Sequence, residues 1–292
     1  MEKRVLKIGL PKGSLQEATF GLFRKAGYSV SVNGRSYAVD MDDPELDGLL
    51  IRPQEIPRYV DDGIIDCGLT GYDWLVSAGA DLVQIAELVY AKVGFGPVRI
   101  VCAVAQDDPL ADARALRGKR IATEYVDLTR QWLEAQGIEA DVAFSWGACE
   151  MKVPALADAV IVNTETGNSL RANGLRIAFD LLRSTTRFVA NRQAWEDSWK
   201  RTKAESLAML LQGAINAQDL VGLKMNVRRC DLPKVTAVLP ALRRPTISPL
   251  SDEEWVAMET ILDHRKAREL VPELKRAGAE GIAAYPLGMV VY

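Results

Sequence analysis

The chain has 292 residues, 48% hydrophobic and 26% charged, with a formal net charge of −3. That length holds two domains or slightly more, the composition is that of a globular protein, and the slight acidity argues against a broad nucleic-acid face. No apolar run approaches membrane-spanning length. The stretch Met1-Glu-Lys-Arg-Val-Leu-Lys has no signal-peptide core before charge and Pro-Gly interrupt it, so a cytoplasmic protein is expected.

The four cysteines, Cys67, Cys102, Cys149 and Cys230, lie far apart and form no CxxC pair, which argues against a metal site or a disulfide scaffold. Cys67 and Cys102 sit in apolar stretches and read as small buried hydrophobes. The only histidine, His264, falls in a polar Asp-His-Arg-Lys stretch that reads as a loop before a helix. Ser-His-Asp hydrolysis, histidine-based zinc sites and histidine phosphotransfer are therefore discarded.

In chain order, Val5 to Leu10 reads as an apolar strand ending in Pro-Lys-Gly. Ser14 is placed to cap a helix whose Leu15, Ala18, Leu22 and Phe23 repeat at helical spacing until Gly27. Strands at Leu49 to Ile51 and Ile64 to Leu69 bracket a short helix from Ile56 to Asp62. Val98 to Val104 and Arg120 to Thr123 are strands, Leu128 to Gln136 a helix stopped by Gly137, Val142 to Trp146 a strand, and Met151 to Leu156 helical. A strand at Arg187 to Ala190 leads into a long helix from Trp195 to Ala217. This βα alternation predicts a mainly parallel sheet, with ligands at the carboxyl ends of its strands. Lys12, Thr70 and Thr166 stand just after such ends.

The last part changes character. Strands at Gly222 to Val227, Thr246 to Leu250, Trp255 to Leu262 and Gly281 to Tyr285 alternate with helices at Leu232 to Leu239 and Lys266 to Ala277. That order is βαββαβ, a ferredoxin-like unit.

The most informative stretch is Asp158-Ala-Val-Ile-Val-Asn-Thr-Glu-Thr-Gly-Asn-Ser-Leu170. A buried strand gives way to a small, hydroxyl-rich turn and then to a helix start at Leu170-Arg-Ala-Asn173. Free N–H groups and the dipole at such a start favour an anion. Thr166 and Ser169 add hydroxyls, and Gly167 lets the backbone approach closely. A well-capped helix start uses the same residues, so the pattern alone leaves both readings open.

The stretch resembles the phosphoribosyl-diphosphate loop of ATP phosphoribosyltransferases, the enzymes that open histidine biosynthesis. Further segments resemble the same family in the same order. They are Leu10-Pro-Lys-Gly-Ser-Leu15, Leu50-Ile-Arg-Pro53 with Glu55-Ile-Pro57, and Asp66-Cys-Gly-Leu-Thr-Gly71. Then come Gly118-Lys-Arg-Ile-Ala-Thr123, Trp146-Gly-Ala-Cys-Glu150 and Arg244-Pro-Thr-Ile-Ser-Pro-Leu250. The resemblance covers nearly the whole chain, including the C-terminal extension of the family's long form.

It implies an α/β fold: a two-lobed catalytic part, like type II periplasmic binding proteins, plus a C-terminal ferredoxin-like βαββαβ domain. Residues 1–100 with 185–212 would form one lobe, 101–184 the lobe with the phosphoribosyl-diphosphate loop, and 213–292 the regulatory domain. The implied reaction is Mg²⁺-dependent transfer of phosphoribosyl from phosphoribosyl diphosphate to N1 of ATP, in a homo-oligomer (dimer and hexamer) with histidine as effector. Positioning and charge stabilisation dominate such a transfer, because the leaving group is already good.

By the same resemblance, Glu165, Thr166, Gly167, Asn168 and Ser169 hold the 5′-phosphate, although Glu165 can instead face the ribose or cap the helix. Lys12, Gly13 and Arg52 contact diphosphate or nucleotide phosphates, Thr70 and Gly71 line the site, and Arg120 flanks the cleft. Glu150 orders Mg²⁺ or substrate, its rival reading being a glutamate favoured by a helix dipole. Asn226 and Thr246 belong to the effector region. One departure stands out: the family usually carries an acidic residue for the ribose hydroxyls where this chain has Val162, and alternation turns Asn163 to the opposite face. A non-catalytic two-lobed sensor of a nucleotide or amino acid is therefore a second reading. A solute-binding protein is a third, weakened by the lack of a signal-peptide pattern.

Overall fold

The computed structural model describes residues 4–34, 36–90, 97–239 and 245–292. The chain forms two compact units, one ending at Ala208 and one running from Met209 to Tyr292.

The first unit opens with β1 (Leu6–Pro11), α1 (Gln16–Lys25), β2 (Val30–Ser31), β3 (Ala38–Met41), β4 (Leu46–Ile51), α2 (Ile56–Asp61), β5 (Cys67–Gly71), α3 (Tyr72–Ala78) and β6 (Val83–Leu88). It continues with β7 (Val98–Ala105), β8 (Arg120–Thr123), α4 (Val126–Ala135), β9 (Asp141–Phe144), β10 (Ala159–Thr164), α5 (Asn168–Ala172) and β11 (Leu175–Ser184). After β12 (Thr186–Ala190) come α6 (Arg192–Glu196) and α7 (Ser198–Asn216), whose residues from Met209 on belong to the second unit. One sheet has the order β2-β3-β4-β1-β5-β12-β6 and the other β11-β7-β10-β8-β9.

Each sheet takes in one strand that arrives from the other. β12 lies between β5 and β6, and β7 lies between β10 and β11. That insertion is the type II periplasmic-binding-protein arrangement. It also corrects the expectation of mainly parallel sheets. Parallel pairing is confined to β1 with β4 and β5, and to β8 with β9 and β10. A strand entering from the other sheet starts at the edge where the parallel strands end, so β7 and β12 must run back antiparallel.

Packing explains several local details. Gly9 and Gly68 pair across β1 and β5. A Cβ on Gly9 would stand 2.6 Å from Ile65 Cδ1, and one on Gly68 would stand 2.7 Å from Ile56 Cγ2. Helix α1 buries Thr19, Phe20, Leu22 and Phe23, but Ser14 does not cap it. Gly13, at φ +108°, turns the chain instead, and its carbonyl accepts from the Gln16 N–H at 3.1 Å. The helix expected at Met151 to Leu156 is only a 3₁₀ turn, Cys149–Lys152, since Pro154 pushes the residue before it out of helical geometry. The long helix expected from Trp195 breaks at Asp197, whose carboxylate accepts from Trp199 N–H and Lys200 N–H to start α7. Strand β11 was not foreseen, because two register shifts against β7 spoil its alternation.

In the second unit, β13 (Leu220–Arg228), α8 (Leu232–Val238), β14 (Thr246–Pro249), β15 (Trp255–Asp263), α9 (His264–Arg276) and β16 (Ala279–Pro286) make the expected βαββαβ. Its antiparallel sheet has the order β14-β15-β13-β16, which is the ferredoxin-like order. Val221, Leu223, Met225 and Val227 face a core shared with Val235 of α8 and Leu274 of α9. Asn226 and Thr246 lie on the other face of that sheet, through the pairs Asn226–Ala257 and Thr246–Glu259. His264 is the first residue of α9 rather than part of a loop, because Asp263 caps the helix through the Arg265 and Lys266 N–H groups. Arg244, at the head of its motif, lies outside the described residues. No described helix is long and apolar enough to cross a membrane.

Candidate active site

The carboxyl ends of β1, β4 and β5 carry Lys12, Arg52 and Gly71. The carboxyl ends of β8, β9 and β10 lead into Glu124, Trp146 and the loop from Thr164 to Ser169. A cavity of about 370 Å³ is walled by that loop, by Ser14, and by Gly71, Asp73 and Trp74.

The loop is internally braced. The Thr164 hydroxyl accepts from Gly167 N–H at 2.8 Å, and the Thr166 hydroxyl accepts a longer bond from Asn168 N–H at 3.4 Å. Gly167 sits at φ +74°, where a side chain is strained. A Cβ there would also stand 3.2 Å from Arg171 Nη1 and from Ile177 Cδ1. Arg171 folds back to donate to the Thr166 carbonyl at 3.1 Å and to the Asn168 side-chain oxygen. Helix α5 has no side-chain cap, so these contacts shape its start. Ser169 donates to Glu150 at 3.0 Å, joining the loop to the 3₁₀ turn that follows Trp146.

Glu165, Thr166, Asn168 and Ser169 therefore share one wall, while Gly167 is buried beneath them. Lys12 and Arg52 line a second cavity of about 310 Å³, where Lys12 Nζ sits 4.1 Å above the Tyr37 ring. Gly13 stands at the β1–α1 turn with open space where a Cβ would be.

Two expected residues are placed elsewhere. Thr70 is fully buried, and its hydroxyl donates to the Pro53 carbonyl at 2.8 Å, so it braces the β4–α2 turn rather than facing the cavity. Arg120 starts β8, at the opposite end from the cavity, and pairs bidentately with Asp158. A residue at a strand's amino end cannot reach a site at its carboxyl end. The Arg120 guanidinium holds the Asp158 carboxyl down to about 2. Val162 is only 8% exposed and packs with Val101, Leu170 and Leu175, whereas Asn163 is exposed on the cavity wall.

Asp73, Trp74, Ser184 and Tyr90 were not singled out in the sequence. Asp73 is buried, accepts from the Ser184 hydroxyl at 2.5 Å, and its own N–H donates to the same hydroxyl at 3.0 Å. Burial pushes its carboxyl above the usual range, against the lowering effect of hydrogen bonds from Ser184 and Tyr125. Burial, and then the neighbouring Asp73 charge, push the Tyr125 phenol up. Trp74 stacks on Tyr125 with centroids 4.3 Å apart, linking α3 of one sheet layer to the β8–α4 turn of the other. Tyr90 meets the Thr19 hydroxyl at 2.8 Å, and burial pushes its phenol up to about 12. The available signal was an acidic residue in the first turn of a helix directly after a motif strand.

Residues 52–213 match the family model "HisG: ATP phosphoribosyltransferase", and residues 217–288 match "HisG, C-terminal domain". The chain is 54% identical over 291 residues to the ATP phosphoribosyltransferase of Thermodesulfovibrio yellowstonii, covering 100% of each chain. It is also 54% identical over 288 residues to that of Chlorobium luteolum, covering 99% of this chain and 98% of the other. Among solved structures it is similar to the ATP phosphoribosyl transferase (HisG:HisZ) complex from Thermotoga maritima. That match has a TM-score of 0.61 at 24% identity, over 71% of this chain and 99% of the other, and it shows a shared fold. The chain belongs to the ATP phosphoribosyltransferase family, in the long form with the C-terminal domain, and is a transferase.

Proposed function

We propose that the chain transfers phosphoribosyl from phosphoribosyl diphosphate to N1 of ATP, releasing diphosphate, in the first step of histidine biosynthesis. The observation that carries this reading is the braced loop Thr164–Ser169 on one wall of a cavity whose facing wall comes from the other sheet. The 5′-phosphate lies against that loop. Thr166 uses its oxygen as acceptor toward Asn168 N–H, leaving its hydroxyl proton for the phosphate. Lys12 and Arg52, in the second cavity, take the diphosphate or nucleotide phosphates. Glu165 faces the ribose, and its carboxylate with that of Glu150 offsets the positive charge that develops at the anomeric carbon.

Among the described residues no group of three or more His, Cys, Asp or Glu side chains is placed to hold a metal ion. Mg²⁺ does not need one, because it is commonly held by one or two carboxylates, waters and substrate phosphates. Glu150, half-buried beside the loop, fits as that carboxylate. When bound, the ion would neutralise charge building on the departing diphosphate.

Residues 1–100 with 185–212, and 101–184, serve as the two catalytic lobes, and 213–292 serves as the regulatory domain. Histidine binds at the sheet face of Asn226 and Thr246, in a cytoplasmic homo-oligomer (dimer and hexamer). The sensor reading drew on Val162 as a lost ribose contact, but that side chain packs into the core. The test is to incubate the purified protein with ATP, phosphoribosyl diphosphate and Mg²⁺ and follow the new nucleotide by absorbance. Absence of product from folded protein would overturn the reading.

A further inference from the structure

Phe144 and Trp146 are large apolar side chains left 50% and 84% exposed at the end of β9. Their rings meet edge to face, with centroids 4.7 Å apart and an interplanar angle of 86°. The backbone beneath them is pinned, since Gly147 N–H donates to Glu124 at 2.8 Å. Gly147 and Ala148 are both left-handed, at φ 55° and 46°, and Ala148 is the only non-glycine with positive φ among the described residues. A side-chain-bearing residue held in that region is a form of strain that clusters at ligand sites.

The aromatic pair walls a cavity of about 800 Å³, which Arg52, Trp74, Glu124 and Asp127 also line. Trp74 lines the phosphoribosyl cavity as well, and Arg52 lines the cavity of Lys12, so the three spaces form a row. Exposed aromatic rings suit a planar ring system. The carboxylates of Glu124 and Asp127 are acceptors only, which suits a base carrying an exocyclic amino group. Glu55 and Asp61 make much of the remaining wall acidic, and of its two arginines Arg58 is paired with Asp62 at 3.6 Å, so phosphates are directed to the Arg52 end.

We propose that Phe144 and Trp146 form the platform on which the purine of the nucleotide substrate stacks, with its phosphates directed toward Arg52. The inference rests on the proposed transfer reaction, because it places the attacking base one indole away from the phosphoribosyl cavity. The experiment is calorimetric binding of ATP and of ribose 5-phosphate to the full-length wild type, Trp146→Ala and Trp146→Phe, with steady-state kinetics alongside. The expected result is an ATP Kd and KM raised about ten-fold or more in Trp146→Ala, as for loss of one base–aromatic stack. Trp146→Phe recovers most of that loss, and ribose 5-phosphate affinity stays within two-fold in both variants. Wild-type ATP affinity in a folded Trp146→Ala would overturn the platform while leaving the transfer reaction standing. ATP binding that depends on Trp146, in a protein that forms no product, would overturn the reaction and keep the platform.

Discussion

Glu150 and Ser169 belong to separate sequence motifs and meet through a 3.0 Å hydrogen bond from the serine hydroxyl to the carboxylate. The bond commits the only proton of Ser169 to Glu150, so the serine works here as a brace for the loop rather than as a phosphate donor. Ser169→Ala is expected to raise KM for phosphoribosyl diphosphate about three- to ten-fold with a smaller change in kcat, in line with loss of one partly solvated bond to a charged group. Glu150→Gln keeps an acceptor for Ser169 but loses the charge, so kcat falls more than KM rises. Steady-state kinetics with each substrate varied in turn separate the two effects. A wild-type KM in Ser169→Ala would sink the bracing role.

Gly167 and Thr166 shape the same loop differently. Gly167→Ala places a Cβ in a left-handed backbone, at a cost of about 1–2 kcal/mol, and crowds Arg171 and Ile177 at 3.2 Å. Gly167→Asp adds a negative charge where an anion is to bind. Thr166→Ala removes a hydroxyl from an exposed position and, within the turn, costs only the long 3.4 Å bond from Asn168 N–H. Each of the three variants should raise KM for phosphoribosyl diphosphate more than KM for ATP. The glycine variants should also melt lower than Thr166→Ala in thermal denaturation.

The β1 and β10 strands and their loops were legible because buried runs end abruptly in Gly, Lys or hydroxyl residues. The βαββαβ unit was legible for a related reason, since β13 from Leu223 to Arg228 and β15 from Trp255 to Glu259 alternate between the core and the other face. What stayed hidden depended on long-range partners. Asp73 matters because Ser184, 111 residues away, reaches it. Thr70 looks like a site residue until Pro53 is seen to take its hydroxyl bond. Arg120 reads as a cleft arginine in one dimension, but strand direction sends it to the far end of β8. The antiparallel return of β7 and β12 follows from crossings between the sheets, which no local pattern encodes.

Asp73 should leave a signature in stability against pH. Its folded carboxyl lies above the ordinary value of 3.8 because burial disfavours its charge. The folded state therefore binds a proton more readily than the unfolded chain, and this group's contribution falls as pH rises from about 3.8 through the folded value. Asp73→Asn can accept from Ser184 without carrying charge, so it should be at least as stable as wild type at pH 7. The gap between the two denaturation midpoints should widen in the variant's favour from pH 4 to pH 7. A gap that does not change with pH would mean that burial does not raise the carboxyl.

Arg120 and Asp158 give the opposite sign. The folded Asp158 carboxyl is lowered to about 2, so the pair's stabilisation is present above the ordinary carboxylate range and is lost as pH falls toward 2. Arg120→Ala should lower the melting temperature by a few degrees at pH 7, and by less near pH 3. Because Arg120 starts β8 away from the cavity, both KM values should stay within two-fold of wild type. A large rise in either KM would place a substrate at the amino end of β8.

Val162 decides how the departure at the ribose position is to be understood. Its side chain packs with Val101, Ala103, Val160, Leu170 and Leu175, under α5 rather than in the open cavity. A glutamate there would bury a carboxylate among methyl groups with no basic partner in that cluster. Val162→Glu is therefore expected to lose several kcal/mol of stability, within the range for an unpaired buried charge, and its activity should fall with the folded fraction. Asn163 and Glu165 lie on the cavity wall instead, and under the proposed function Glu165 accepts from the ribose hydroxyls. Glu165→Gln should cut kcat/KM for phosphoribosyl diphosphate by about ten-fold, as for one charge-assisted bond of about 1.5 kcal/mol, with an unchanged melting temperature because the side chain is exposed. Thermal melts and kinetics on both variants distinguish the positions. A stable Val162→Glu with raised activity would show that residue 162 turns toward the substrate after all.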